Sequence, residues 1–344
     1  METVPCPITG SKEFTPYLQV PDRFDSSGKA DWNLVRSSAS GLIMLNPRPE
    51  SAEIARHYRS PEYDPYRHNL NSSSFKERAY LAAQTLLLGY RAEIILKGWV
   101  KPREELSVLE IGCSTGNLLN YFHRHGVPIK NLTGVEPDDD AARHAREFFG
   151  LNIFPSIAEE IAEKKTFDRI VLWHTLEHIH TINETLHEVV SQLKPDGVVV
   201  IALPNPAGFD AEYYRENWIA WDAPRHLYHF LPETLEKLLG LHGLRVFKRQ
   251  PYFPDSVYNI LHSEALRSKR GKKRVNALRI LTLLGRAALY AFKGGARSSS
   301  VVTLNRGETF SSRGRSSLTL SRLPVARTMV MIFSAGACMA GRYY

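Results

Sequence analysis

The period of apolar and polar positions changes along the 344-residue chain. Residues 1 to about 70 are rich in Pro, Ser and Tyr with weak periodicity, which predicts a small irregular N-terminal module. From Ser74 to about Val100, Ala, Leu and Glu recur at helical spacing, predicting one long helix that Lys101 and Pro102 end. Between about 105 and 250, short apolar runs alternate with amphipathic ones. Strands are predicted at 106–111, 132–136, 152–155, 167–173, 197–203 and 244–250, and helices at 116–125, 138–149, 156–164, 179–193 and 232–242. The last helix is announced by LPETLEKLL, with Pro232 near its start and Gly240 and Gly243 near its end. This alternation predicts an α/β domain built on a parallel sheet with helices on its faces. Beyond 254 the periodicity weakens, although 298–305 reads as a closing strand. Three regions result: 1–70, 71–254 and 255–344.

Composition changes this picture little, but the distribution of charge changes it more. Apolar residues at 43% and charged ones at 23% are those of a soluble globular protein. The three cysteines, Cys6, Cys113 and Cys338, are too dispersed for a disulfide framework. With no basic segment followed by an apolar run at METVPCPITG, a cytoplasmic protein is expected. Of the net +8, residues 265–344 contribute 16 Lys and Arg against the single acid Glu308, or +15, which leaves −7 for the rest. A strongly basic end on an acidic body suits an anionic partner; a solvated tail is the plain alternative.

The segment VLEIGCSTGNLLNYF sets Gly112-Cys113-Ser114-Thr115-Gly116 between a strand and a helix, where glycine permits positive φ and close approach of a ligand. Glu136 ends the next strand about 20 residues after the glycines, placed to accept hydrogen bonds from both hydroxyls of a ribose. A dinucleotide loop would need a third glycine, which GCSTGN lacks. A hydrolase elbow with Ser114 as nucleophile would need earlier strands and an oxyanion loop, whereas a long helix precedes this one.

Glu110, Gly112, Gly116 and Glu136, followed in order by FDRIVLWHTLEHI, LKPDGVVVIALPNP and PRHLYHFLPETLEKLLGLHGL, resemble the motifs of class I S-adenosylmethionine-dependent methyltransferases over about 105–250. Within them the chain resembles the ubiquinone-type and bacterial small-molecule branch. The resemblance implies a Rossmann-like fold with a mostly parallel seven-stranded sheet and S-adenosylmethionine as cofactor. It implies that Glu110 and the Gly112–Gly116 backbone, with Cys113, Ser114 and Asn117, meet the methionine moiety. It further puts Glu136 at the ribose and Pro137 and Ala158 at the adenine, with Trp173 and His174 lining the sulfonium and the substrate mouth. An Asp is usual near Ile157, Ala158 and Glu159, and this sequence departs there.

Methyl transfer to oxygen or nitrogen needs an aligned nucleophile and a base for its proton, and histidine suits the second task. His174 and His178 after the fourth strand and His226 in the loop after the fifth are the candidates for the base, with a structural reading beside it for both His178 and His226. EYYRENWIAWDAPRHLYHF, with Tyr213, Tyr214, Trp218 and Trp221, reads as a lid over a small-molecule acceptor or as core. Some ubiquinone-type relatives hold a divalent metal on Glu-x-x-Glu-His; here the residues are His174, Glu177 and His178, so the first ligand differs and no metal is expected.

CPITGS and RSSASGLIMLNPRP resemble a zinc knuckle whose ligand positions have become Cys6, Thr9, Ser37 and Ser40, implying a metal-free remnant. Near the other end, RSKRGKKR precedes VNALRILTLLGRAALYAF, in which Arg279, Arg286 and Lys293 recur every seven residues. Such a helix suits either the membrane interface, making 267–293 a peripheral contact, or packing within the protein. It is too interrupted by Arg to span a bilayer, and Met329–Ala340 is too short. Base methylation of nucleic acid is disfavoured, because LWHT replaces the Asp/Asn-Pro-Pro-aromatic signature after the fourth strand and Cys6 is the only Cys that follows a Pro. The sequence thus predicts methyl transfer to a hydroxyl or amine of a small molecule, a sugar or lipid-linked intermediate among them. A cofactor-binding scaffold without turnover and an RNA-directed methyltransferase are the alternatives.

Overall fold

The computed structural model describes residues 1–24, 31–58, 75–161, 165–271, 275–292 and 296–307. Glu308, the Ser/Arg/Gly-rich stretch beyond 307, Cys338 and the 329–340 run lie outside them, as do 272–274 and Lys293. Three strands open the chain, β1 (Phe14–Pro21), β2 (Asp31–Ser37) and β3 (Ile43–Leu45), before the short helix α1 (Ser51–Ile54) and the long helix α2 (Phe75–Ile95). Then β4 (Val108–Ile111), α3 (Asn117–Arg124), β5 (Leu132–Val135), α4 (Asp139–Phe149), β6 (Asn152–Phe154), α5 (Ile157–Ile161) and β7 (Phe167–Trp173) alternate. After them come α6 (Ile182–Ser191), β8 (Leu193–Pro204), α7 (Phe209–Tyr214), β9 (Tyr228–His229), α8 (Pro232–Leu241) and β10 (Leu244–Pro251). Helices α9 (Phe253–Gly271) and α10 (Ala277–Phe292) precede the last strand, β11 (Ser300–Gly307).

The main sheet has seven strands in the order β10-β11-β8-β7-β4-β5-β6, and only β11 runs against the others. The central strands are buried on both faces, as expected where helices cover a parallel sheet. Side chains alternate accordingly: Leu109, Ile111, Ile170, Leu172, Val199 and Ile201 enter one core, whereas Val108, Val171, Trp173, Val198 and Val200 enter the other. Arg169, a polar residue on the buried β7, donates from Nε to Ile95 O at 2.8 Å, satisfying an orphan carbonyl at the end of α2. The close approach of loop and sheet is set at Gly134 on β5, where a Cβ would lie 2.5 Å from Cys113 Sγ and 2.6 Å from Ile153 Cδ1.

The N-terminal region is not irregular. It folds into an antiparallel sheet, β1-β2-β3-β9, whose last member comes from the far side of the sequence: Ile43 pairs with His229 and Met44 with Tyr228. The signal was weak because β1 and β2 bury few of their side chains and β3 spans only three residues, so burial imposes little periodicity on the sequence. The knuckle-like turns do come together, with Cys6 Sγ 3.1 Å from Ser40 Oγ in the buried interior. Hydrogen bonds occupy the place of thiolate ligands.

Two outcomes are expected from this packing. Gly134→Ala lowers stability by about 1–3 kcal/mol through overpacking, read as a reduced midpoint in urea with unchanged m. Cys6→Ala leaves the zinc content of the purified full chain unchanged by elemental analysis; a loss of bound zinc would contradict the hydrogen-bonded turn.

Candidate active site

The strand-to-helix loop after β4 is built on alternating left-handed residues, with φ of 75° at Gly112, 52° at Ser114 and 76° at Gly116. At Gly116 a side chain would also meet Leu151 Cδ1 at 2.6 Å. Ser114 pays the strain of positive φ and is tied down by its N–H, which donates to Glu136 Oε2 at 2.8 Å. Asp138 N–H donates to the other oxygen at 3.0 Å, so Glu136 joins the ends of β4 and β5. Burial pushes the Glu136 carboxyl upward, against these two donors.

Glu110 is buried, and its Oε2 has no hydrogen-bond partner among the described residues. Burial raises its pKa to about 8 despite the opposing charge of Arg91. An orphaned acceptor beside a glycine loop fits the α-ammonium group of a methionine moiety, and a second carboxylate beyond the loop fits a ribose. Pro137 and Ala158, the latter at the start of α5, are both exposed and lie beyond the carboxyl ends of β5 and β6, where ligands of open α/β sheets bind. Asn117 Nδ2 donates to Thr115 Oγ1 at 2.8 Å, bracing the loop. The Cys113 thiol is buried against Gly134, so this residue offers its backbone rather than its side chain.

Trp173 and His174 end β7, but they face different partners. Arg91 from α2 stacks on Trp173, 4.9 Å from the ring centre, and donates to Tyr252 Oη at 3.2 Å. His174 has a φ of 53° and turns to α9, with Nε2 2.7 Å from Asp255 Oδ2 and Nδ1 3.5 Å from Glu177 Oε1. Burial opposes its charge, but Asp255 and Glu177 outweigh it and raise its pKa to about 10. His174 is therefore a fixed imidazolium, unsuited to accept a proton at neutral pH.

The two histidines singled out as bases do meet, although 48 positions separate them, with ring centres 4.5 Å apart. His226 Nδ1 lies 2.8 Å from Ala220 O, and His178 Nδ1 lies 3.1 Å from Arg225 O and 2.8 Å from Tyr58 Oη. A carbonyl only accepts, so both rings carry hydrogen on Nδ1 and keep a lone pair on Nε2. Burial lowers both pKa values, that of His178 to about 4, and keeps both rings neutral. Glu177 completes the group: it is buried, no hydrogen bond reaches either oxygen among the described residues, and one ligand atom from each of the three lies within 4.8 Å of the others. His174 keeps Nδ1 3.5 Å from Glu177 Oε1 while Asp255 takes its Nε2, so the ligand atoms of Glu177 and His178 gather with His226 rather than with His174. Two imidazoles and a carboxylate can take up a substrate proton or hold a divalent cation.

The aromatic segment before His226 is core rather than a lid. Tyr214, Trp218 and Trp221 are buried, with Trp218 Nε1 donating to Asp210 Oδ2 at 2.7 Å and Tyr214 Oη to Ile260 O at 3.2 Å. Tyr213 is exposed, and Trp221 packs edge-on against His229. Sequence reading missed Tyr58, Asp255 and Arg91, which reach the site from 120, 81 and 82 positions away from His178, His174 and Trp173. It also passed over Asp222, whose spacing from Arg225 was a usable signal: Arg225 Nε donates to its Oδ1 at 2.8 Å.

Removing the carboxylate in Glu136→Ala is expected to weaken S-adenosylhomocysteine binding by about tenfold or more, through loss of charge-assisted hydrogen bonds, with a smaller loss in Glu136→Gln. Titration calorimetry reads both.

Residues 68–248, 181 of 344, match the family model described as a methyltransferase domain. Ubiquinone biosynthesis O-methyltransferase of Rhizobium etli (strain CIAT 652) is 31% identical over 172 residues, 46% of this chain and 68% of that protein. The enzyme of the same name from Rhizobium leguminosarum bv. trifolii (strain WSM2304) is 30% identical over 172 residues, 46% of this chain and 67% of that protein. A SAM dependent methyltransferase from Archaeoglobus fulgidus has a TM-score of 0.41 at 20% identity, covering 67% of this chain and 97% of that one. With its seven-stranded Rossmann-like sheet and its glycine loop between β4 and α3, the chain belongs to the methyltransferase-domain family and is an S-adenosylmethionine-dependent methyltransferase.

Proposed function

We propose that this enzyme methylates a hydroxyl group of a small molecule, with the pair His178 and His226 taking up the proton that the acceptor loses. The observation that carries this reading is the pair of neutral imidazoles, each with its Nδ1 hydrogen spent on a backbone carbonyl and its Nε2 lone pair left beside buried Glu177. S-adenosylmethionine supplies a methyl group activated by positive sulfur. Glu110 receives its ammonium group, the Gly112–Gly116 backbone its methionine chain and Glu136 its ribose. Trp173, held by Arg91, lines the reaction zone. Glu177, kept ionised by the His174 imidazolium, steadies the positive charge that His178 or His226 acquires with the proton. Relatives that bear the name of an O-methyltransferase favour oxygen over nitrogen.

The separation of ligand atoms favours a second reading, in which Glu177, His178 and His226 hold a divalent cation that lowers the pKa of the acceptor hydroxyl. Both readings need the same three residues, and a chelator separates them.

His178→Ala and His226→Ala are each expected to lower kcat by about 10²–10⁴-fold, with S-adenosylmethionine affinity within about threefold of wild type. Radiolabelled methyl transfer to a panel of phenolic, sugar and lipid-linked acceptors is the measurement; unchanged turnover in both variants overturns the assignment, and cofactor binding without turnover on any acceptor supports a scaffold. Turnover that survives exhaustive chelation belongs to the base reading, and turnover restored only by added divalent cation to the other. A base is useful when deprotonated, and the folded pKa of His178 is lowered to about 4. The acid limb of kcat/KM is therefore expected well below the ordinary histidine value of about 6.5, whereas a limb centred near that value would contradict burial of the base.

A further inference from the structure

Helix α10 is apolar on two opposite faces, and among the described residues only one of them is covered. Leu283, Leu284 and Ala287 are buried in the main core beside α9. Leu278, Leu281, Leu289 and Phe292 are 75%, 59%, 49% and 67% exposed. At about 100° per residue, these four and Gly285 fall within an arc of roughly 80°, directly opposite the buried face. Arg286 flanks one side of that arc, about 80° from Leu278, whereas Arg279 turns to α9, with Nη1 2.9 Å from Glu264 Oε1.

A helix with apolar residues all round is ordinarily buried on every side. Charge points to what covers the outer stripe here. Residues 265–307 carry eleven Lys and Arg and no Asp or Glu, and six of them, Arg267, Lys269, Arg270, Lys272, Lys273 and Arg274, immediately precede the helix in sequence. A narrow apolar stripe edged by cations is the composition of a helix lying in the plane of an anionic bilayer. No helix among the described residues is long and apolar enough to cross a membrane, so the contact would be at the surface.

We infer that the outer face of α10 docks the enzyme on anionic lipid bilayers, with Leu278, Leu281, Leu289 and Phe292 entering the headgroup boundary and the exposed Lys269 and Arg270 at the end of α9 engaging lipid phosphates. The inference is independent of the acceptor assigned above, because the stripe lies apart from the histidine pair and its contacts are with lipid alone.

Co-sedimentation of the full chain with phosphatidylglycerol–phosphatidylcholine vesicles tests it. Binding is expected to anionic vesicles, at least tenfold weaker to pure phosphatidylcholine, and reduced by high salt. The double variant Leu281→Glu/Leu289→Glu is expected to lose at least tenfold in vesicle affinity, while its thermal midpoint and S-adenosylhomocysteine binding stay at wild-type values. Leu281→Ala/Leu289→Ala serves as a milder variant if the acidic one fails to fold, with an intermediate loss expected. Absence of binding to anionic vesicles overturns the inference, as does binding that both variants leave intact, which would assign it to residues beyond 307. So does a dimer that the variants dissociate without any lipid binding, which would make the stripe a contact between two copies of this chain. Binding to RNA in place of vesicles overturns it as well.

Discussion

The arrangement of the active site depends on one buried ionic contact, the guanidinium of Arg225 held between two carboxylates. Its side chain is fully buried, with Asp222 at 2.8 Å and Asp22 at 3.0 Å, while Arg23 pairs with the same Asp222 at 2.8 Å. Two of these four charges come from the N-terminal region and two from the loop that carries His226. Breaking a buried pair by removing one partner leaves an uncompensated charge, at a cost of about 3–5 kcal/mol. The two regions are therefore constrained to stay together. Backbone bonds continue the junction: Leu45 N–H donates to Leu227 O and Leu227 N–H to Glu177 O, so strand β3, the His226 segment and the turn that carries His178 form one unit.

That junction accounts for the chemistry of the histidines. Asp222 Oδ2 lies 4.0 Å from His226 Nε2, beyond hydrogen-bond distance, and the Nδ1 of each ring faces a carbonyl whose position is set by the Arg225 loop. Burial then disfavours the imidazolium form and leaves the Nε2 atoms unprotonated. His174, four residues before His178 and equally buried, has the opposite character because Asp255 on α9 binds it directly. Three histidines within one small volume thus carry different charges, decided by whether a carboxylate or a carbonyl faces them.

The cofactor half of the site follows a different logic. It is local: a strand, a loop with positive φ at alternate positions, a helix, and a carboxylate one strand further on. The parallel pairing of β4 with β5, Glu110 opposite Gly134, brings the two carboxylates to the same end of the sheet. Helix α9 begins at this end, where its Asp255 meets His174, and α10 packs beside it with its outer apolar stripe exposed.

The strand pattern, the glycine loop and Glu136 were legible in the chain because their physics is short-ranged. Burial on both faces of a parallel strand writes continuous apolar runs, and a ligand-binding turn demands residues that tolerate left-handed backbone within five positions. All seven strands of the main sheet could be placed this way, including the closing one, and so could the paired interest of His178 and His226. The N-terminal strands, the burial of Trp218 and Trp221 as core, and the partners Tyr58, Asp255 and Arg91 could not. Each depends on contacts between segments tens of residues or more apart, and a histidine's protonation depends on which group those contacts bring to it. The sequence by itself determined the cofactor and the sheet that presents it; only the tertiary structure decided which histidine is a cation, which two keep a lone pair, and that a sheet from the other end of the chain holds them in place.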